Sequence, residues 1–348
     1  MVQTYHIILL LPNILSLMGH KNLFGDSKIQ RILCKFAERI INDNYMNAQT
    51  WEIEDRLRVM GKYFDLDALL AKNTDNEAVE QYYRKTDFFY KLVHDRGGRS
   101  IHHGLSEDGF YHKDDFLAQP RYVGSFLDRP SMNVLEVGAG RLINSRYLAK
   151  EFPSCHFTAV DLPNRNFLKN RVPSNVELRE GDYNDLSMFP DNSFDVAFGV
   201  ETICYAESKE RVYSEIYRVL KPGGRLIVFD GYEPKPQEEM TELERYTAAI
   251  ICAAMCVTPK DHYIGNTRKY LEARFSKVEI TDFSRKIRPT LRRMDRICGY
   301  YFMHPGLIRF TQKFFHADVN LNSIAGWLML LSTDGETIHQ YNRVVAVK

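Results

Sequence analysis

Two glycines and four carboxylates recur along this chain at a spacing that can build one ligand site. Gly138 and Gly140 follow a short run that holds Glu136; Asp161 lies 21 residues after Gly140, Asp182 another 21 further, and Glu201 a further 19. A glycine pair between a strand and a helix lets backbone approach a ligand closely and leaves the first helical amides facing it. Asp161 can accept from both hydroxyls of a ribose, while Asp182 and Tyr183 offer an acceptor and a ring neighbour for an adenine. A dinucleotide would ask for G-x-G-x-x-G, and the third position after Gly140 is Ile143. Taken singly, each acid is better read as a helix N-cap or a solvated loop residue. Four in step argue for a site.

The elements that must position them follow from the hydrophobic pattern. Short apolar runs at Asn133–Val137, His156–Val160, Val176–Arg179, Phe194–Gly199 and Arg225–Asp230 alternate with amphipathic stretches, which predicts parallel strands with helices on both faces. Lys277–Ile280 and Tyr341–Val347 add two more strands, and Glu242 to Val257 a helix. The fold expected is α/β, a doubly wound, mostly parallel seven-stranded sheet of the Rossmann-like kind. Each acid then sits at the carboxyl end of a successive strand, where open α/β sheets bind ligands. Residues 1–115 read as an N-terminal helical arm and 116–348 as the sheet domain, with a helical insertion at about 285–330 covering the substrate pocket. Tyr300, Tyr301, Phe302, Phe310, Phe314 and Phe315 fall in that cover, and its aromatics serve either as pocket wall or as core.

Charge excludes some partners. The chain carries 46 lysines and arginines against 45 acids, so no global field draws it to nucleic acid. Six cysteines without a C-x-x-C pair suit a reducing, cytoplasmic setting. No carboxylate or cysteine falls at ligand spacing with His102, His103 or His112, so no metal is expected. The apolar stretch Tyr5 to Met18 is short for a bilayer span and is interrupted by Pro12. It reads as a helix docked on the body, or as one lying on a membrane surface as a peripheral contact. Homo-oligomerisation is left open.

At this point the motifs resemble a known family. Glu136-Val-Gly-Ala-Gly140, Val160-Asp161-Leu162, Glu180-Gly-Asp-Tyr183 and Val219-Leu-Lys-Pro-Gly-Gly224 are similar to the successive motifs of class I S-adenosylmethionine-dependent methyltransferases. Phe194 to Ala206 and Tyr213 to Gly224 resemble the I-E-A-T-C-H-A-P and Y-x-E-I-Y-x-V-L-K-P-G-G segments of sterol C-methyltransferases. Tyr82 to Phe89 and Ser100 to His103 are similar to the Y-D-x-x-x-D-F and S-F-H-F stretches of the same enzymes. Three positions depart: Leu142 stands where the family has a further glycine, Tyr83 at the aspartate of Y-D, and Tyr205 at the histidine of C-H-A.

The resemblance implies S-adenosylmethionine as cofactor, held by Glu136, Gly138, Gly140, Asp161, Leu162, Asp182 and Tyr183. It implies C-methylation of a hydrophobic isoprenoid-derived or sterol-like molecule, with Glu201 as the carboxylate that meets positive charge on the acceptor or takes its proton. A Glu201 that only orients the cofactor or a neighbouring histidine is the alternative. His102 and Tyr82 close over the cofactor by the same carry-over. The same sheet could support O- or N-methylation of a small polar metabolite, with His102 as base, or a silent cofactor-binding regulator.

Overall fold

The computed structural model describes residues 51–89, 102–163, 172–258, 260–333 and 338–348. The N-terminal stretch Tyr5–Met18 falls outside them, as do Ser100 and Ile101. Among the described residues seven strands form one sheet: β1 (Asn133–Val137), β2 (His156–Asp161), β3 (Val176–Glu180), β4 (Phe194–Val200), β5 (Leu220–Tyr232), β6 (Lys277–Asp282) and β7 (Gln340–Val347). Their order is β3-β2-β1-β4-β5-β7-β6, parallel through β5, with β7 antiparallel to both neighbours. The expected strands are all present, and β5 is longer than its apolar run, since Leu220 already pairs with Phe194.

Alternation along the strands makes two cores. Val134, Val196 and Phe198 point to one face, and Leu135, Val137 and Ala197 to the other. The first face is covered by α4 (Ala118–Gly124) and α5 (Ile143–Glu151), the second by α6 (Lys209–Val219) and α8 (Ile264–Glu272). All seven residues of β4 are buried, as a central parallel strand requires. The chain leaves β1 and β4, which are adjacent, in opposite directions, and this switch point opens a crevice at their carboxyl ends.

A third core sits beyond the sheet. Three helices enter between β6 and β7: α9 (Ser284–Phe302), α10 (Pro305–Phe314) and α11 (Ala317–Thr333). With α7 (Glu242–Ala254) and the earlier helices α1 (Ile53–Met60) and α2 (Leu66–Leu70) they enclose Leu57, Met60, Ile251, Ile324 and Leu328. Trp327 stacks on Phe302 with centroids 4.9 Å apart. Between α2 and the loop at 102 runs α3 (Asn76–Phe89). No described helix is long and apolar enough to cross a membrane.

One ion pair fastens α1 to this cover. Arg56, 1% exposed, reaches both the Asp295 carboxylate on α9 and the Trp327 carbonyl on α11. Removing one partner of a buried pair strands the other charge, at a cost of about 3–5 kcal/mol. Asp295→Ala is therefore expected to lose about that much in urea denaturation, whereas Arg56→Met with Asp295→Leu should stay within about 2 kcal/mol of the native protein.

Candidate active site

The glycine turn closes β1 in the left-handed region, with φ of +64° at Gly138 and +50° at Gly140. A Cβ on Gly138 would lie 1.7 Å from the Thr202 Oγ1, so the turn and the end of β4 press directly together. Leu142, in the family's glycine position, also has φ +60° and is fully buried. The turn thus keeps the glycine geometry with a side chain, at a conformational cost of about 1–2 kcal/mol set against the apolar burial of Leu142.

Two cavities open at the switch point. The smaller, about 70 Å³, is walled by Gly138, Gly140, Asp161, Leu162, Asp182 and Tyr183, with Asn76, Val79 and Thr202 around them. Asp161 accepts from the Gly140 and Leu162 amides. Asp182 accepts from Asn76 Nδ2 at 2.7 Å and from the amide and side chain of Asn184. These bonds orient each acid, and the three at Asp182 leave part of the roughly four acceptor positions of a carboxylate. The Tyr183 hydroxyl donates to the Thr202 carbonyl at 2.7 Å, fixing its ring in the wall. A nucleoside bearing an amino-acid side chain fits this donor set: acids for hydroxyls and an amino group, glycine backbone for close approach.

The larger cavity, about 300 Å³, lies under the helical cover. Ile251, Met255, Met294, Ile297 and Met329 line it, joined by Tyr300, Tyr301, Phe310 and Phe315 of the aromatic segment. Phe302 and Phe314 take no part: the first packs in the third core and the second is 46% exposed. Tyr83, His102, Val200, Glu201 and Tyr205 border both cavities.

Glu201 sits at this boundary with φ +48°, an energetically costly conformation held by its surroundings. The His103 amide (2.7 Å) and the Tyr341 hydroxyl (2.9 Å) donate to its Oε1, and His103 Nδ1 donates to its Oε2 at 3.0 Å. Burial alone would raise the carboxyl's pKa, but the charge and hydrogen bonds of His103 bring it down to about 2. Burial likewise depresses His103, and Glu201 more than reverses this, leaving it raised. The pair is an ion pair under the cover.

Several side chains stand elsewhere than their spacing suggests. Glu136 does not line the smaller cavity: its carboxylate accepts from Asn144 Nδ2 at 3.0 Å and from the Ser145 amide and hydroxyl, binding β1 to the start of α5. Tyr82 also turns away, its hydroxyl bonded to Asn322 of α11, and its neighbour Tyr83 faces the cavities instead. His102 reaches both cavities, yet its Nε2 donates to the Phe116 carbonyl at 2.9 Å, and the histidine that holds Glu201 is His103. Asp230, at the end of β5, is a site residue that the regular spacing of acids misses. It is 2% exposed, accepts from the Cys204 and Gly231 amides, and lines the larger cavity, and burial followed by the charge of Glu201 raises its pKa to about 6.

The two departures at 83 and 205 meet in space. The Tyr83 hydroxyl donates to that of Tyr205 at 2.8 Å, with the rings edge to face at 5.7 Å. Where the sterol C-methyltransferase pattern places an acid and a histidine, this chain has a neutral phenol pair at the boundary of the two cavities.

Sheet order, glycine turn and the acids behind it define a class I methyltransferase fold. Residues 135–228 match the family model described as a methyltransferase domain. The chain is 30% identical to the sterol 24-C-methyltransferase of Neurospora crassa over 183 residues, 49% of this chain and 48% of that protein. Against the enzyme of Saccharomyces cerevisiae it is 30% identical over 242 residues, 65% of this chain and 60% of the relative. The alignment with Neurospora crassa thus spans about half of each protein. Among solved structures, the [4+2]-cyclase SpnF superimposes with a TM-score of 0.58 at 19% identity, over 79% of this chain and 96% of that one. Residues 135–228 are therefore a class I, S-adenosylmethionine-dependent methyltransferase domain, and the chain is related to the sterol C-methyltransferases.

Two outcomes test this geometry. Gly138→Ala should abolish measurable S-adenosylmethionine binding by calorimetry, because the turn must move away from Thr202; native affinity would show that it can. Burial outweighs the bonds from Ser145 and Asn144 and raises the Glu136 pKa to about 7. The folded protein then holds a proton that the unfolded chain releases near its ordinary 4.5, so stability present below about pH 4.5 falls as pH rises through 7. Glu136→Gln should remove this contribution, on the order of 3 kcal/mol between pH 4 and pH 8, read as a flatter stability profile than the native one.

Proposed function

We propose that this protein transfers a methyl group from S-adenosylmethionine to a carbon of a hydrophobic, isoprenoid-derived or sterol-like acceptor. The observation that carries the reading is the shared boundary: a polar cavity at the glycine turn and an apolar cavity under the cover meet at Glu201. Bound in the smaller cavity, S-adenosylmethionine supplies an electrophilic methyl group. The chain's own part is to orient the acceptor, exclude water and manage charge.

Asp161, Leu162, Asp182 and Tyr183 hold the nucleoside end in this scheme. Tyr83 and Tyr205 present ring faces and hydroxyls at the boundary, where the acceptor carbon must lie. Methylation of an alkene leaves positive charge on the acceptor, which aromatic faces and a nearby carboxylate stabilise. Glu201, ionised and locked by three donors, is the fixed negative partner. Its low proton affinity makes it a poor base, whereas Asp230, with a pKa near 6, is the better proton acceptor. Carboxylates pushed apart in this way take separate roles.

Methyl transfer from labelled S-adenosylmethionine into sterols, prenyl compounds, phenols and amines tests the proposal. Label in a carbon position of an apolar acceptor is expected; label confined to oxygen or nitrogen products overturns it, and bound cofactor without transfer favours a regulator. Glu201→Gln should lower kcat by about 100-fold or more. Asp230→Asn should also lower kcat, and in the native enzyme kcat should fall as pH drops below about 6, the limb that this variant loses. An unchanged acid limb in Asp230→Asn would remove it from the proton step.

A further inference from the structure

The cover carries a charge pattern that the proposed chemistry does not use. Between Ser284 and His316 there are eight lysines and arginines and a single acid, Asp295, in a chain whose net charge is only +1. Asp295 is buried against Arg56 and contributes nothing to the surface. Of the cations, Lys286 is paired with Glu107, and Arg293 faces the apolar cavity and the Tyr111 ring. Arg285, Arg292, Arg296 and Arg309 are exposed, and among the described residues none of them forms an ion pair. The first three recur on α9 at steps of seven and four, so they lie along one outward face.

Helix α10 follows α9 directly in the chain and carries exposed cations of its own. Leu307, Phe310 and Thr311 line the cavity from within, and Ile308 is the one buried residue of the helix. Its outer side shows Arg309, Lys313 and the exposed ring of Phe314, with the Lys313 Nζ 5.5 Å from that ring's centroid. The same helix therefore lines the apolar cavity with one side and offers cations and an aromatic ring on the other. That combination is what an interfacial helix presents to lipid: cations for anionic headgroups, and an aromatic side chain at the level of the acyl boundary.

We infer that the outer face of α9 and α10 docks on an anionic lipid bilayer, with Arg285, Arg292, Arg296 and Arg309 at the headgroups and Phe314 in the interface. A nucleic acid would match the cations but leave unused both Phe314 and the apolar cavity directly behind α10. Docking on this face turns the α10 wall of the cavity toward the membrane, which gives an apolar acceptor a route that crosses no water. This route rests on the proposed acceptor class, whereas the docking itself can be measured without any acceptor.

Co-sedimentation of the full chain with phosphatidylcholine vesicles, with and without phosphatidylserine, tests the docking. Binding should rise with phosphatidylserine and weaken with salt. Reversal of all four charges (Arg285→Glu, Arg292→Glu, Arg296→Glu, Arg309→Glu) should lower the anionic partition by at least about tenfold, and Phe314→Ser should lower it with the charges intact. Cofactor affinity and thermal unfolding of both variants serve as folding controls, and both should match the native protein. Binding undiminished in the charge-reversed protein, or indifferent to phosphatidylserine, overturns the inference, as does association of the native chain with itself or with duplex DNA in place of vesicles. With an acceptor identified, the charge-reversed protein should methylate it normally from detergent and several-fold more slowly from vesicles. Failure of transfer from both sources would speak against the methylation reading and leave the docking result standing.

Discussion

Three distant parts of the chain converge on one carboxylate. Glu201 leaves the end of β4, His103 arrives from the loop before α4, and Tyr341 returns on β7 after the whole cover has been traversed. A carboxylate buried without donors would be protonated or expelled, so the ionised state of Glu201 depends on the His103 loop and β7 both being in place. Conversely, the unfavourable φ of Glu201 persists because its amide donates to the Phe229 carbonyl at 2.7 Å and its side chain is held at both oxygens. Site and fold are therefore one cooperative unit: displacing the His103 loop or β7 takes donors from the carboxylate at the boundary between the cavities.

The remaining architecture divides the labour. The two cores flanking the sheet fix the strand ends from which the glycine turn and the acids project, and they are built from alternating strand residues that any parallel sheet would need. The third core, with Arg56 at its centre, belongs to the cover and ties helices from the start of the described chain to those inserted near its end. Relatives and structural neighbours share the sheet. The match to the methyltransferase-domain model ends at residue 228, and the cover helices that line the apolar cavity, α7 and α9 to α11, lie beyond it.

Much of this frame was legible in the residues, because strands buried on both faces leave dense apolar runs and the acids follow each run at near-constant intervals. Direction was not legible. Spacing placed Glu136 beside the glycines, but only the fold shows its carboxylate turned back to Ser145 and Asn144. On α3 a step of one residue rotates a side chain by about 100°, which is the difference between Tyr82 facing Asn322 and Tyr83 facing the cavities. His103 next to His102 posed the same problem in a loop, where no periodicity exists to read. Tyr341 could not be found by local pattern, since it reaches Glu201 through an antiparallel pairing set by the whole sheet. Asp230 could have been found: it ends a predicted strand as the other acids do, but lies outside their regular interval.

The Tyr83 and Tyr205 contact bears on how such a site can change over generations. Each residue replaces a different group of the sterol C-methyltransferase pattern, and the two replacements touch through a single hydrogen bond of 2.8 Å. Changing either one alone would replace the phenol-to-phenol bond with a different pairing on the border of the apolar chamber. The two positions are therefore coupled, and a change at either one resets the partner that the other meets where the apolar chamber begins.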